Sequence, residues 1–219
     1  HLLKHNKGKG VMIGHMDDMD PRVVTVIGAG VAGTQSILKA IDNKALVKVV
    51  DSSQSKLDDL KSKYGTENVE YILSSKDSIQ VSVNESDLVI GSVYVVGKEA
   101  PKVITKDMLS SMNPGTVMVD VSIDQGGCFE TSKPTTHDSP TFLENEIVHY
   151  CVTNMPGAVP LTATEALNKV SLSYVENLAN NGIQNALDSD EHLRNGLNIL
   201  DGRIVPVSYT HLTLPTSSQ

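Results

Sequence analysis

The sequence has few cysteines, an excess of negative over positive charge, and no long apolar run. Its two cysteines, Cys128 and Cys151, stand in no CxxC or Cys/His spacing, so two reduced thiols are expected rather than a disulfide framework or metal site. Lys and Arg number 18 against 26 Asp and Glu, a net charge of −8, which argues against nucleic-acid or anionic-membrane partners. Because no segment approaches the roughly 20 apolar residues of a membrane span, a soluble protein is expected.

Both ends of the chain have unusual sequences. The start, HLLKHNKGKG, has no initiator methionine and no signal-peptide pattern, so we expect an interior segment of a longer protein, with 1–20 as a hinge or linker remnant. Near the other end, VSYTHLTLPT resembles translated sequencing-adaptor DNA. Residues 207–219 are therefore expected to be a non-native tail and are excluded from the fold prediction.

Between Arg22 and Val152, short β-branched runs alternate with longer amphipathic stretches. The predicted strands are 23–27, 46–51, 69–73, 87–93, 116–122 and 147–152. Near-continuous apolar runs are typical of parallel strands that are covered on both faces. The predicted crossover helices are 31–43, 54–64, 78–85 and 106–112. This rhythm predicts an α/β fold, a doubly wound parallel sheet of the Rossmann type, over 21–160.

Residues 161–206 predict helices beyond those that the sheet needs. Thr162 and Glu165 form a T-x-x-E capping box after Pro160, which predicts a helix that ends near Asn181 and Gly182. A second helix is predicted around 188–196. We expect these helices to belong to a substrate domain that is largely missing from this chain.

A glycine-rich turn follows the first predicted strand and opens a helix. Its Gly28-x-Gly30-x-x-Gly33 spacing permits a tight turn, a close approach of the backbone to a pyrophosphate, and close packing of helix on strand. The helix N-terminus offers N–H groups to the phosphates. The second strand ends in Asp51, which can accept both hydroxyls of an adenosine ribose and repel a 2′-phosphate. The pattern predicts dinucleotide binding, with NAD favoured over NADP.

Other strand ends supply further candidates. In doubly wound sheets the ligand lies across the carboxyl ends of the strands. This places six more residues at the predicted cofactor groove: Ser74, Val93, Tyr94, Asp124, Asn154 and Met155.

At these residues the chain closely resembles the alanine dehydrogenases, within the alanine dehydrogenase/transhydrogenase NAD-binding family. The matching stretches, between Gly8 and Val205, are VIGAGVAG, DLVIGSV with GKEAPKVIT, MNPGTVMVDVSIDQGGCFETSKPTTHDSPTF and HYCVTNMPGAVPLTAT. The resemblance implies NAD-dependent, reversible oxidative deamination of L-alanine to pyruvate and ammonium. It also implies a cytoplasmic homohexamer whose chains have a Rossmann domain and a substrate domain built from both chain ends. No metal site is expected.

The resemblance also implies site residues. Asp124 matches the catalytic aspartate, whereas the substrate-binding Arg and Lys and the acid/base His are expected upstream of this chain. Lys133 stands where members often have Arg. The implied cofactor contacts are Gly28, Gly30, Val31, Ala32, Gly33, Asp51, Lys56, Ser74, Val93, Tyr94, Val121, Asp124, Lys133, Val152, Thr153, Asn154 and Met155.

Several alternatives stay open from the sequence. Asp124 could instead be a turn former whose side chain caps the following glycine backbone, and Asp120 is expected to be a structural carboxylate. His137 is expected in an exposed loop and His149 packed in a strand, so neither is promoted to a general base. The chain could also be the NAD-binding subunit of a transhydrogenase, or a non-catalytic NAD-binding module. Asp124 favours the dehydrogenase, because transhydrogenases typically carry a Glu-Gln-Gly-Gly stretch without this aspartate.

Overall fold

The computed structural model describes residues 1–14, 19–95 and 99–205. The chain forms two compact units, His1–Thr153 and Asn154–Gln219. The predicted non-native tail, 207–219, lies outside the described residues. Within the described ranges, no helix combines the length and the apolar character that a membrane crossing needs.

The first unit is built on a mostly parallel sheet of seven strands. They are β1 (Val23–Ile27), β2 (Leu46–Asp51), β3 (Val69–Leu73), β4 (Leu88–Gly91), β5 (Val117–Asp120), β6 (Thr141–Glu144) and β7 (Ile147–Tyr150). Their order is β3-β2-β1-β4-β5-β7-β6, and every neighbouring pair is parallel except β6 and β7. The predicted Rossmann-type sheet is confirmed. The strand order reverses between β1 and β4, which is where such folds bind ligands.

The edge strand β6 was not predicted from the sequence. It pairs antiparallel with β7 across a tight turn in which Asn145 and Glu146 have φ of 50° and 60°. Its four residues show little strand pattern of their own, and Leu143 is 48% exposed. The pairing with β7 stabilises this strand, together with the stacking of Phe142 on His149 at 4.9 Å between ring centroids.

Three helices cross between the first strands of the sheet. They are α1 (Val31–Asp42), α2 (Gln54–Tyr64) and α3 (Lys76–Glu85). The Ser53 side chain caps α2, and Ser75 forms a reciprocal capping box with Ser78 at the start of α3. The crossover helix that was predicted at 106–112 is a 3₁₀ helix over Asp107–Ser111.

The sheet separates two apolar clusters, because successive strand residues point to opposite faces. On one face, Val24 and Val26 pack with Ile37 of α1 and Leu57 of α2. The other cluster is larger and includes Ile27, Val83, Val89, Met118 and Phe129. Burial on both faces explains why the strands read as continuous apolar runs.

The second unit contains α4 (Pro160–Ser189), α5 (Glu191–Asn195) and a hairpin of β8 (Ile199–Leu200) with β9 (Arg203–Ile204). The predicted capping box is wrong: α4 begins at Pro160, and no side chain caps it, because proline already has the φ of a first helical residue. The predicted helix end near Gly182 is confirmed: with φ 74° and ψ 165°, Gly182 has a non-helical backbone and separates two helices within Pro160–Ser189. The Asp190 side chain caps α5.

Candidate cofactor-binding site

Gly28 makes the turn that leads from β1 to α1. Its φ is +97°, and a Cβ atom there would lie 2.6 Å from the backbone oxygen of Ser92, so only glycine fits. The turn is held by the Gly28 N–H, which donates to the Val50 carbonyl at 2.8 Å. The Ser92 hydroxyl donates to the Gly28 carbonyl at 2.7 Å.

The other two glycines of the motif have opposite surroundings. A Cβ atom on Gly33 would lie 1.8 Å from the Gly28 carbonyl oxygen, whereas a Cβ on Gly30 would meet no described atom within 4 Å. Gly33 therefore allows α1 to pack on the turn, and Gly30 leaves open space beside the helix N-terminus. The first turn of α1 has N–H groups without intrahelical partners and a positive dipole end. The turn therefore has the form of a phosphate-binding site.

Asp51 ends β2 and lies beside this turn. It is 8% exposed. Its Oδ2 accepts from the Ala29 N–H at 2.7 Å and its Oδ1 from the Ser53 N–H at 2.8 Å. A carboxylate has about four acceptor positions, so two remain for ribose hydroxyls.

A groove of about 740 Å³ runs across the carboxyl ends of β1, β2, β4 and β5. Ten of the residues that the sequence assigned to the cofactor line it: Gly28, Gly30, Val31, Ala32, Asp51, Lys56, Val93, Tyr94, Val121 and Asp124. Six lining residues were missed: Ser52, Ser92, Val95, Pro101, Ser122 and Gln125. Five of these, all but Pro101, directly follow or precede an assigned residue, so taking whole strand-end segments would have found them.

Asp124 lies in a 3₁₀ turn, Ile123–Gln125, at the end of β5. It is exposed, and among the described residues its side chain makes no hydrogen bond. The backbone closes the turn instead, because the Ser122 carbonyl accepts from the N–H groups of Gln125 at 2.9 Å and Gly127 at 3.0 Å. Asp124 is therefore not the cap of this turn, and its carboxylate is left available to a ligand in the groove.

Two glycines, Gly126 and Gly127, follow the turn that carries Asp124. They have φ of 84° and 75°, a conformation that favours glycine. A Cβ atom on Gly127 would lie 2.7 Å from Asp120 Oδ2. The glycine pair is thus needed for the turn itself and for its packing on a buried carboxylate.

Five more assigned residues of the first unit are not among those that line the groove. Gly33, inside α1, packs against the Gly28 carbonyl, and the Ser74 N–H donates to the Asp51 carbonyl at 2.9 Å. Lys133 lies 3.9 Å from Glu144 on β6. Val152 is buried beside Thr135, and the Thr153 N–H donates to the Thr135 carbonyl. The last two assigned residues, Asn154 and Met155, belong to the second unit.

His137, His149 and the two thiols are not among the residues that line the groove. His149 is wholly buried in β7, and burial lowers its pKa; His137 is in an exposed loop. Both positions match the expectation. Burial raises the pKa of the Cys128 thiol far above its usual range and that of Cys151 to about 11, so both stay protonated. Within the described ranges, no group of three or more His, Cys, Asp or Glu residues could hold a metal ion.

The strand order, the glycine turn with Asp51, and the groove define a dinucleotide-binding domain of the Rossmann type. Residues 1–206 match the family model "Alanine dehydrogenase/PNT, C-terminal domain". The chain belongs to this family, which confirms the resemblance seen in the sequence.

Relatives and solved structures agree with this membership. The alanine dehydrogenase of Halomonas elongata is 48% identical over 203 residues, covering 93% of this chain and 54% of that protein. That of Mycolicibacterium smegmatis is 43% identical over 205 residues, 94% of this chain and 55% of that protein. A solved L-alanine dehydrogenase superposes with a TM-score of 0.88 at 41% identity, covering 94% of this chain and 57% of that one. The chain thus spans about half the length of the curated relatives it matches.

A more distant likeness concerns the fold alone. The structure of a transhydrogenase from Sinorhizobium meliloti has a TM-score of 0.66 at 23% identity, covering 78% of this chain and 49% of that one. This likeness concerns the fold and is not evidence for the reaction of this chain.

Proposed function

We propose that this chain is the NAD-binding part of an alanine dehydrogenase, which converts L-alanine, NAD and water to pyruvate, ammonium, NADH and a proton, reversibly. One observation carries the proposal: the glycine turn, Asp51 and Asp124 line one continuous groove. Family membership supports it. Bound NAD supplies the hydride acceptor. The protein must bind NAD and the substrate, orient them, and assist the proton transfers.

The β1–β2 end of the groove fits the adenosine and pyrophosphate parts of NAD. The open space at Gly30 and the N–H groups of the first turn of α1 suit a pyrophosphate. Asp51 supplies carboxylate acceptors for two ribose hydroxyls, and its negative charge disfavours the 2′-phosphate of NADP. Lys56, exposed on the groove wall, adds a positive charge.

The β4–β5 end of the groove fits the nicotinamide and the reacting carbon of the substrate. Oxidation at the α-carbon of alanine yields an imine, which must gain water and lose ammonium. A carboxylate at this position can orient the water, hold the substrate amine and stabilise positive charge on nitrogen. We assign that role to Asp124, because its side chain lies on the groove wall and is not used in closing its own turn.

We propose further that the whole enzyme is a cytoplasmic homohexamer, as the resemblance implies. Light scattering on the full-length protein tests the oligomeric state: six copies are expected, and a monomer or dimer would contradict the proposal.

Two assays test the function. The chain itself should bind NADH more tightly than NADPH, measured by the change in NADH fluorescence on binding. The full-length protein should form NADH from L-alanine, followed by absorbance. Asp42→Asn is the matched control, because this exposed carboxylate lies at the far end of α1 and should leave both results unchanged.

Each outcome has a defined meaning. Activity with another amino acid but not with alanine would change the substrate assignment. NADH binding without amino-acid oxidation, but with hydride transfer to an NADP analogue, would favour the transhydrogenase. NADH binding without either reaction would favour a non-catalytic NAD-binding module.

A further inference from the structure

Asp120, the last residue of β5, is the most enclosed carboxylate near the groove. It is 0% exposed. Its Oδ1 accepts from the Ser122 N–H at 3.0 Å and the Cys128 thiol at 3.4 Å. Its Oδ2 accepts from the N–H groups of Cys128 at 2.8 Å and Phe129 at 3.4 Å, and from the Ser132 hydroxyl. Five donors thus converge on one side chain.

These donors bracket the turn that carries Asp124. Ser122 precedes the 3₁₀ turn and Cys128 follows the glycine pair, so the Asp120 carboxylate joins both ends of the loop from beneath. Gly127 packs against the same carboxylate, since a Cβ there would lie 2.7 Å from Oδ2.

Lys102 holds the same loop from the other side. Its Nζ donates to the carbonyl of Gly127 at 2.7 Å and also to that of Gly126. Next to it, the Ala100 N–H donates to the Gln125 carbonyl at 3.0 Å. The segment after β4 and the loop after β5 are therefore joined at the groove.

The burial of Asp120 has a high energetic cost. A carboxylate away from water is strongly disfavoured unless it is paired or fully hydrogen-bonded. Among the described residues no Lys, Arg or His forms an ion pair with Asp120, so backbone and side-chain donors must provide all of the compensation. The hydrogen bonds to Asp120 stabilise the loop in return, because its irregular backbone offers no sheet partners for these N–H groups.

We propose that Asp120, together with Lys102, is a positioning residue that fixes Asp124 in the groove. The proposal rests on the proposed function, in which Asp124 handles protons. A loop clamped at both ends holds the Asp124 carboxylate in one geometry relative to the nicotinamide end, and small errors in that geometry lower the rate steeply. The phosphate and ribose contacts on β1 and β2 are independent of this clamp.

The test is a double-mutant cycle in the full-length protein. Asp120→Asn replaces one acceptor oxygen with an N–H₂ group that faces existing donors. It should lower kcat for L-alanine oxidation about 10- to 100-fold and change the NADH dissociation constant by less than about threefold. If Asp120 acts through Asp124, the double variant Asp120→Asn/Asp124→Asn should be no slower than Asp124→Asn alone. Asp42→Asn is the control for loss of a carboxylate.

Additive losses, or a near-normal kcat for Asp120→Asn, would overturn the positioning role. If Asp120→Asn no longer binds NADH, the same cycle is run with Lys102→Met, which keeps the apolar stem and lies at the surface. Lys102→Met is expected to lower kcat about two- to fivefold, the effect of losing roughly one hydrogen bond. It should cause no further loss in a protein that already carries Asp124→Asn. A loss that adds to that of Asp124→Asn, or no loss at all, would refute the proposal. A wild-type rate for Asp124→Asn would instead refute the proposed role of Asp124 itself.

Discussion

The Oδ2 atom of Asp51 lies 2.7 Å from the backbone nitrogen of Ala29, so the acid that we propose binds the ribose also holds the glycine turn. Both functions belong to one side chain because β1 and β2 are neighbours in register, with Ile27 opposite Val50. A substitution at Asp51 therefore affects two parts of the cofactor site.

Asp51→Ala should weaken NADH binding about 10- to 100-fold, the effect of losing hydrogen bonds to a charged group. The ratio of NADPH to NADH affinity should rise, because the repulsion of a 2′-phosphate is gone. NADPH should still bind more weakly than NADH binds to the unaltered protein, since Ala29 has lost its acceptor. Fluorescence titration with both cofactors measures this, and an unchanged affinity ratio would exclude the assigned role.

Gly30 and Gly33, two of the three glycines of the motif, are matched positions for testing cofactor binding against stability. Gly30→Ala should leave the free energy of unfolding nearly unchanged, because its φ of −75° suits alanine and the space around it is open. It should weaken NADH binding by about tenfold or more by filling the proposed pyrophosphate position. Gly33→Ala should instead lower the free energy of unfolding by about 2 kcal/mol or more, because its Cβ would overlap the Gly28 carbonyl. Urea unfolding and NADH titration of both variants test these expectations. The same loss of stability and of NADH affinity in both variants would contradict them.

Asp124→Asn in the full-length protein should lower kcat for L-alanine oxidation by about 100-fold or more. NADH binding should change little, because the proposed phosphate and ribose contacts follow β1 and β2. Steady-state kinetics together with fluorescence titration separate the two effects. A near-normal rate would leave Asp124 as an ordinary residue of the groove wall.

The burial of His149 predicts that the free energy of unfolding depends on pH. Burial lowers its pKa below the ordinary value of 6.5, although the Ile147 carbonyl, Glu144 and Asp120 act in the opposite direction. The unfolded chain therefore binds the proton more readily, so the free energy of unfolding falls as the pH drops below about 6.5, and the contribution is fully present above that pH. In the neutral ring Nδ1 donates to the Ile147 carbonyl, so Nε2 accepts from the Thr131 hydroxyl at 2.7 Å. Protonation of Nε2 would reverse the direction of this hydrogen bond, with the hydroxyl as the acceptor.

Urea unfolding at about pH 7.5 and pH 5.5 should show a smaller pH effect in His149→Gln than in the unaltered chain. His137→Gln, at an exposed histidine, is the control and should keep the full effect. Equal pH dependence in all three proteins would exclude His149 as the cause.

The two thiols should react slowly in the native protein. Cys128 and Cys151 are both 0% exposed, and burial raises the pKa of each, so the thiolate that attacks alkylating reagents is scarce. Alkylation followed by mass spectrometry should show that the native thiols are modified only as fast as the chain opens. In urea, where the chain is unfolded, both thiols should be modified rapidly. Fast native modification of either thiol would contradict the described burial.

The predicted strands and the glycine turn could be found from the sequence because their causes are local. A strand covered on both faces needs apolar residues at nearly every position, and a phosphate turn needs glycine at fixed spacing, so both leave a readable pattern. Asp51 could be found in the same way, by its place at the end of the second run. The α2 prediction, 54–64, coincides with the observed helix.

Only the tertiary structure decided features that depend on partners distant in the chain. β6 exists because β7 pairs with it, and the roles of Gly126 and Gly127 depend on the buried Asp120 beneath them. The lining of the groove by Pro101, which neighbours no assigned residue, follows from which loops meet where the strand order reverses. Local composition determined the sheet and its cofactor turn, whereas the hydrogen bonds that leave Asp124 facing the groove join residues whose neighbourhood no local pattern specifies.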